Sequence, residues 1–123
     1  MSGSIRAIRG ATTVVADEPD VIAAGTRELL ARIMSLNNLR PENVVSVIFT
    51  VTADLRSDFP ARAARDLGWV DVPLLCTVEI PVPNALARCI RVLLHVETGK
   101  PREAMKHVYL REARTLRPDL VAD

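Results

Sequence analysis

One long amphipathic helix stands among several strand-like segments, and this imbalance limits how the chain can fold. An apolar stripe repeats at helical spacing from Val21 to Leu36, after an acidic, proline-containing start at 17–20 that suits a helix N-terminus. Strand-like segments lie at 4–13, 44–52, 72–82, 89–97 and 107–110. One helix cannot cover both faces of a five-stranded sheet. We therefore predict an α+β fold, a mixed sheet with the helix on one face and self-association covering the other.

The chain is predicted to form a single domain over residues 1–123, with 114–123 as a tail that can be mobile. Hydrophobic residues make up 49% of it, which is ample for a core, and few of them are aromatic. A short helix is predicted at Ala61–Leu67, closed by Gly68. The proline-interrupted segment at 72–82 is expected to be an edge strand. The pattern assigns no place to Trp69.

Charge and composition exclude several classes of protein. A net charge of +1 argues against a strongly basic nucleic-acid binder, and four aromatic residues are too few for base stacking. The apolar segment at 44–51 is far shorter than the ~18 residues of a membrane span. The first ten residues contain two arginines and no apolar core of a signal peptide. We expect a cytoplasmic protein without nucleic-acid or membrane partners.

Motifs for nucleophilic or metal chemistry are missing from the sequence. Cys76 and Cys89 are thirteen positions apart and have no zinc-site spacing with His95 or His107. Neither G-x-S-x-G, H-E-x-x-H nor a glycine-rich phosphate loop occurs. We expect neither a metal nor another cofactor.

Charged and hydroxyl-bearing residues inside predicted strands are the remaining candidates for a site. They are Arg9, Glu79, Arg91 and Tyr109, with Arg117 in the tail. Unpaired charges are costly to bury, so a half-buried strand carries them for a reason. One reason is structural, since Glu79 or Glu97 could pair with Arg91 across strands. The other is a site for a small multi-anionic metabolite, because guanidinium groups bind carboxylates bidentately.

Short motifs then occur in order along nearly the whole chain, from about Ile5 to Leu120. They are IRGATT at 8–13, FPA at 59–61, VPLLCTVE at 72–79, CIRV at 89–92, HVYL at 107–110 and LRPDL at 116–120. Together they resemble the trimeric, non-helical, mixed α/β class of chorismate mutase. The resemblance implies a homotrimer built as a pseudo-α/β barrel, with active sites between neighbouring subunits. It also implies the Claisen rearrangement of chorismate to prephenate, on the route to aromatic amino acids.

The resemblance implies a role for each residue of a catalytic group. Arg91 would donate to the ether oxygen of the breaking bond and to a nearby carboxylate. Arg9 would bind the side-chain carboxylate, with Tyr109 beside it. Glu79 would accept from the ring hydroxyl, and Cys76 would contact the same hydroxyl.

A second group is implied to bind the substrate. Phe59 and Leu74 would line an apolar wall from the adjoining subunit, while Arg65 and Arg117 would close the entrance. Leu75 stands where the family has a more polar residue. The full group is Phe59, Ala61, Arg62, Arg65, Leu74, Leu75, Leu116 and Arg117.

Two other functions fit the same residues. A small trimeric imine or enamine deaminase would use an interfacial arginine and a glutamate that activates water. A non-catalytic sensor of an aromatic-pathway acid would bind the same ligand without turning it over. Two arginines, Arg9 and Arg91, suit a dicarboxylate better than a single α-carboxylate.

Overall fold

The computed structural model describes residues 3–120 and contains one mixed sheet with few helices. The final part of the predicted tail, 121–123, lies outside the described residues. The elements are β1 (Ser4–Thr13), α1 (Pro19–Leu36), β2 (Val44–Val51), α2 (Ala61–Asp66), β3 (Leu74–Val78), β4 (Cys89–Thr98) and β5 (Val108–Tyr109). Short 3₁₀ helices span Pro41–Asn43, Arg102–Ala104, Arg111–Thr115 and Pro118–Leu120. The predicted α+β class and the order of elements are confirmed.

Helix α1 packs its apolar stripe against the sheet, and specific residues mark its two ends. Pro19 occupies the first turn, where a missing N–H costs nothing, and Asp20 complements the helix dipole. The buried Asn37 ends the helix: its side-chain amide donates to Ile33 O and to Lys106 O, both at 2.9 Å. Its Oδ1 accepts from the Lys106 N–H at 2.7 Å. The end of α1 is thereby tied to the segment that leads into β5.

The sheet has the strand order β3-β2-β4-β1-β5. β4 lies at its centre and pairs antiparallel with both β1 and β2. The outer strands are parallel to their neighbours, β3 to β2 and β5 to β1. The predicted edge position of β3 is confirmed, although its hydrogen-bonded part is shorter than 72–82. Prolines 73 and 81 flank that part and have no N–H to donate.

The two faces of the sheet differ in what covers them. One face packs on α1 through a continuous apolar core, which includes Ile8, Phe49, Leu94, Leu29 and Ile33. Trp69 is also part of this core and only 3% exposed. The opposite face, here called the open face, carries Arg9, Ile48, Thr50, Arg91 and Leu93, which are half-buried or exposed.

Gly10 lies where β1 passes closest to α1, and this contact gives a stability prediction. A Cβ at Gly10 would stand 2.8 Å from Ile33 Cδ1 and 3.2 Å from the Val108 carbonyl oxygen. We expect Gly10→Ala to lower the free energy of unfolding by about 1–3 kcal/mol, because the core must expand to accept the methyl group. Urea unfolding measures this. Gly99→Ala is the control: nothing lies within 4 Å of its Cβ position, so an equal loss there would contradict the packing explanation.

Candidate active site

Four of the predicted catalytic residues meet in one cavity on the open face. Alternation along the strands brings them there, since Arg91 is opposite Ala11 and Thr50, and Ala11 is also beside Tyr109. The cavity has a volume of about 270 Å³. Its lining consists of Arg9, Gly10, Ile48, Thr50, Glu79, Arg91, Val92, Leu93 and Tyr109. Such a mixture of apolar walls and a few charged groups is typical of a small-molecule site.

Arg91 and Glu79 form an ion pair within this cavity. Arg91 Nε lies 3.3 Å from Glu79 Oε2, and the Thr50 hydroxyl donates to the same oxygen. The Glu79 backbone N–H donates to Val51 O at 2.9 Å, which fixes the residue just beyond the end of β3. The Arg91 side chain is 45% exposed and that of Glu79 24%. The pair is therefore open to a ligand, and its partly exposed position makes it a weak source of stability.

Arg9 supplies a second cation at the same cavity. Its side chain is exposed and forms no ion pair within residues 3–120. The tail brings Arg117 nearby, and Arg117 donates to Asp119 at 3.1 and 2.8 Å. Those hydrogen bonds lower the pKa of the Asp119 carboxyl group. The site thus has the guanidinium groups of Arg9 and Arg91 beside Tyr109. A third one, of Arg117, lies nearby and is bonded to Asp119.

Most of the remaining predicted residues lie on the other side of the sheet, around α2. Cys76 pairs with Phe49 in the β2–β3 ladder and packs against the core on the α1 side. Burial raises the pKa of its thiol, opposed by a backbone hydrogen bond from Ala61 and by the charge of Arg65. Leu74 is likewise partly buried against that core. Cys76 is thus a neutral thiol at neutral pH, on the face opposite Glu79.

The surface of α2 and the loop before it hold the exposed members of this second group. Phe59 is 66% exposed. Arg62 pairs with Asp58 at 2.9 Å and more loosely with Asp20 at 3.4 Å. The hydrogen bonds to these carboxylates raise the pKa of Arg62 and lower that of Asp58. Arg62 is therefore already neutralised by its own chain, whereas Arg65 extends from the exposed side of α2.

Two predicted residues, Leu75 and Leu116, neither line the cavity nor belong to the residues around α2. Leu75 faces the open side of β3 and is 60% exposed. Leu116 packs partly buried beside Tyr109, Ala113 and Cys89. Burial raises the pKa of the Cys89 thiol, with Arg91 opposing the shift. One chain therefore joins Arg9, Glu79, Arg91 and Tyr109, while Phe59, Ala61, Arg62, Arg65, Leu74 and Cys76 form a separate group, here called the α2 group.

Sequence reasoning missed five residues of the cavity lining, and one of them, Thr50, bonds Glu79 directly. The five are Gly10, Ile48, Thr50, Val92 and Leu93. A period-2 reading of 44–52 places positions 46, 48 and 50 on one face. Ile48 and Thr50 are apolar or β-branched like their neighbours, so nothing in their residue type marks them as part of a site.

The described residues also bear on metals and membranes. Within 3–120, no group of histidine, cysteine and acidic side chains is arranged to hold a metal ion. None of the helices in that part of the chain is long and apolar enough to span a bilayer.

Fold and site together define an α+β protein with an arginine-rich cavity on an uncovered sheet face. A family model described as chorismate mutase type I matches residues 5–120. The chain therefore belongs to the chorismate mutase type I family.

Individual relatives agree with the family match. Chorismate mutase AroH of Thermus thermophilus is 52% identical over 117 residues, covering 94% of this chain and 96% of the relative. Chorismate mutase AroH of Bacillus subtilis (strain 168) is 45% identical over 117 residues, covering 94% and 92%. Among solved structures, a chorismate mutase from Clostridium thermocellum superposes with a TM-score of 0.88 at 49% identity. That match covers 89% of this chain and 97% of the other.

The resemblance seen in the sequence is thus confirmed, and so is the enzyme class, an isomerase of the chorismate mutase type. The comparisons support neither the deaminase nor the sensor.

Proposed function

We propose that the open-face cavity converts chorismate to prephenate in a homotrimer whose neighbouring subunit completes the site. The observation that carries this proposal is the Arg91–Glu79 ion pair, at 3.3 Å, beside Arg9, which forms no ion pair within residues 3–120. We further propose that the enzyme is cytoplasmic and serves aromatic amino-acid biosynthesis.

The reaction itself asks for placement more than for reactive groups. One ether C–O bond breaks and one C–C bond forms within the same molecule, so no external nucleophile is needed. The two carbon atoms that become bonded must be held together in a compact conformation of the substrate. Charge separates as the C–O bond stretches. Binding in a near-attack geometry and fixed charges at the developing oxyanion supply the acceleration.

Arg91 supplies the fixed charge at the developing oxyanion. Its Nε is engaged by Glu79, which orients the planar group and leaves other N–H donors for the ether oxygen and a neighbouring carboxylate. Glu79 in turn accepts from the ring hydroxyl of the substrate and lies beside the ring, where positive charge develops. Thr50 holds the carboxylate through its hydroxyl.

Arg9 and Tyr109 help to hold the substrate in its compact conformation by fixing its side-chain carboxylate. They lie on neighbouring strands, since Ala11 of β1 pairs with Tyr109 of β5. Arg9 forms no ion pair among residues 3–120 and is exposed, so its guanidinium is available to a carboxylate of the substrate. Arg117, at the start of the last 3₁₀ helix, closes over the ligand after exchanging its contact with Asp119.

The neighbouring subunit contributes the α2 group. Within one chain this group lies across the sheet from Glu79, so it can reach the cavity only from another copy. Phe59 and Leu75 are large apolar side chains left 66% and 60% exposed by the single chain, which suits burial against a partner. A closed trimer with the open faces inward covers the sheet and Leu75, and Phe59 is covered where the α2 group meets the neighbouring cavity.

Cys76 provides a check on the mechanism, because burial keeps its thiol protonated and a protonated thiol is a poor nucleophile. We expect Cys76→Ala to reduce kcat/KM only mildly, within about tenfold, as expected for the loss of one packing contact and one weak hydrogen bond. Steady-state kinetics with chorismate measure this. Complete loss of activity in a folded variant would instead indicate covalent chemistry.

Two measurements test the proposal directly. Chorismate added to the purified protein should lose its ultraviolet absorbance as prephenate forms, and a deaminase or a sensor would leave that signal unchanged. Light scattering should give three times the 13.5 kDa mass of one chain. A monomeric mass together with full activity would refute the shared site.

A further inference from the structure

His107 lies just outside the cavity and contacts the backbone of a cavity residue. The Arg9 N–H donates a hydrogen bond to His107 Nδ1, with 2.9 Å between the two nitrogens. A ring nitrogen that accepts a hydrogen bond carries no proton, so this contact requires the neutral ring with its proton on Nε2. The two residues are 98 positions apart in the chain. Their bond therefore belongs to the tertiary structure of the site and not to local chain geometry.

The bond extends a very short strand pairing. β5 contains only Val108 and Tyr109, which pair with Gly10 and Ala11 of β1. On the far side, Leu110 N–H donates to Ala11 O at 2.9 Å. On the near side, the backbone of β5 begins only after His107, and the imidazole accepts the next β1 N–H. The His107 ring thus adds a hydrogen bond at Arg9, just beyond the point where the β1–β5 pairing ends.

The surroundings of the ring favour its neutral form. Burial lowers the pKa of His107, and the guanidinium groups of Arg9 and Arg117 lower it further. The charged and titratable groups around it are Arg6 and Arg9 of β1, His95 of β4, Arg102 of the 3₁₀ helix before β5, Lys106 and Tyr109 of its own segment, and Arg117 with Asp119 of the tail. Cations dominate this set, and Asp119 is already bonded to Arg117.

We propose that His107 is a positioning residue for Arg9, whose neutral ring keeps the Arg9 backbone in register with Tyr109 across the cavity. This inference rests on the proposed function, in which Arg9 binds a carboxylate of the substrate. Protonation of Nδ1 would end the hydrogen bond and place another positive charge next to Arg9 and Arg117. Arg9 would then lose its fixed position, and substrate binding would weaken more than the chemical step.

Substitution of His107 tests the proposal through the split between KM and kcat. We expect His107→Leu to raise KM about tenfold with a much smaller effect on kcat, the size of one lost hydrogen bond in binding. His107→Asn should recover most of this loss, because its Oδ1 can still accept the Arg9 N–H. His95→Asn is the matched control, since His95 borders the same basic surface but its Nδ1 contacts Ser46 Oγ at 3.1 Å. It should leave KM unchanged.

The pH profile gives a second readout, which a purely structural role would not move. Since the pKa of His107 is lowered, its ring is neutral at neutral pH and the hydrogen bond is lost only as the pH falls below the usual histidine range. The wild type and His95→Asn should lose kcat/KM on that acidic side through a rise in KM. His107→Asn should lack this limb, because an amide does not titrate. The same acidic limb in His107→Asn and the wild type would overturn the proposal, even where His107→Leu fails to fold.

Arg9→Ala separates this inference from the function on which it rests. If Arg9→Ala leaves KM unchanged, the proposed role of Arg9 fails. If it raises KM, adding His107→Leu to it should have no further effect, because the residue being positioned is gone. An equal additional rise in KM in the double variant would show that His107 acts elsewhere, and would overturn the proposal.

Discussion

Arg91→Ala is expected to abolish nearly all activity, with kcat falling by ~10³ or more. Removal of a single preorganised donor to a developing oxyanion typically costs ~10²–10³ in rate. Arg91 serves both the ether oxygen and a carboxylate in the proposed mechanism, so its loss should exceed that range. Arg91→Lys should remain severely impaired, because an ammonium cannot both bind Glu79 and present a planar pair of donors. Single-turnover kinetics with chorismate measure the chemical step directly.

The matched control is Arg27→Lys on α1. Arg27 also pairs with a carboxylate, Asp66 at 3.6 Å, and its side chain is 41% exposed against 45% for Arg91. It lies outside the cavity and should keep full activity. Turnover close to that of the wild type in Arg91→Lys would refute the assignment of the guanidinium to the breaking bond.

Mixing two inactive variants should restore activity, because each proposed site draws on two chains. One variant is Arg91→Ala, and the other carries Phe59→Ala with Arg65→Ala in the α2 group. Phe59 and Arg65 are exposed in the single chain, so their truncation should not disturb the fold. After refolding together at equal amounts, roughly a quarter of the sites should contain both intact halves by random pairing. Initial rates should rise well above those of either variant alone.

A mixture of Arg91→Ala with Glu79→Gln is the control for this experiment. Both defects lie in the same cavity of one chain. Every cavity in any mixed trimer would then contain one of the two substitutions, so no recovery of activity is expected. Recovery in this control, or none in the first mixture, would contradict the division of the site between subunits.

The sequence predicted the sheet and the cavity well where alternation was strong. β1 and β4 have regular period-2 patterns, which separate the face of Arg9 within β1 and the face of Arg91 within β4. The β1–β4 register puts these two faces on the same side of the sheet. The single long helix also indicated that one face would be left open. These features depend on local periodicity, which a sequence shows directly.

Other features depend on contacts that local patterns do not contain. Trp69 had no predicted place because it enters the core from a turn, where no periodicity marks its direction. The strand β5 is only two residues long, and a side chain, the ring of His107, accepts the N–H of Arg9 just before it. Cys76 and Glu79 lie on opposite faces of the sheet, which follows from the register between β2 and β3. That register is a contact between strands, which the sequence of β3 alone does not contain.

The pairing of Gly10 with Val108 also has a consequence for how the protein is made. During synthesis β1 leaves the ribosome well before its partner β5, which follows all the other strands of the sheet. Until then the nascent chain carries a sheet whose β1 edge is unpaired, and such edges invite association with other chains. Arg9 and Tyr109 can come together only after β5 has been synthesised, so the cavity that they line cannot form on a shorter nascent chain.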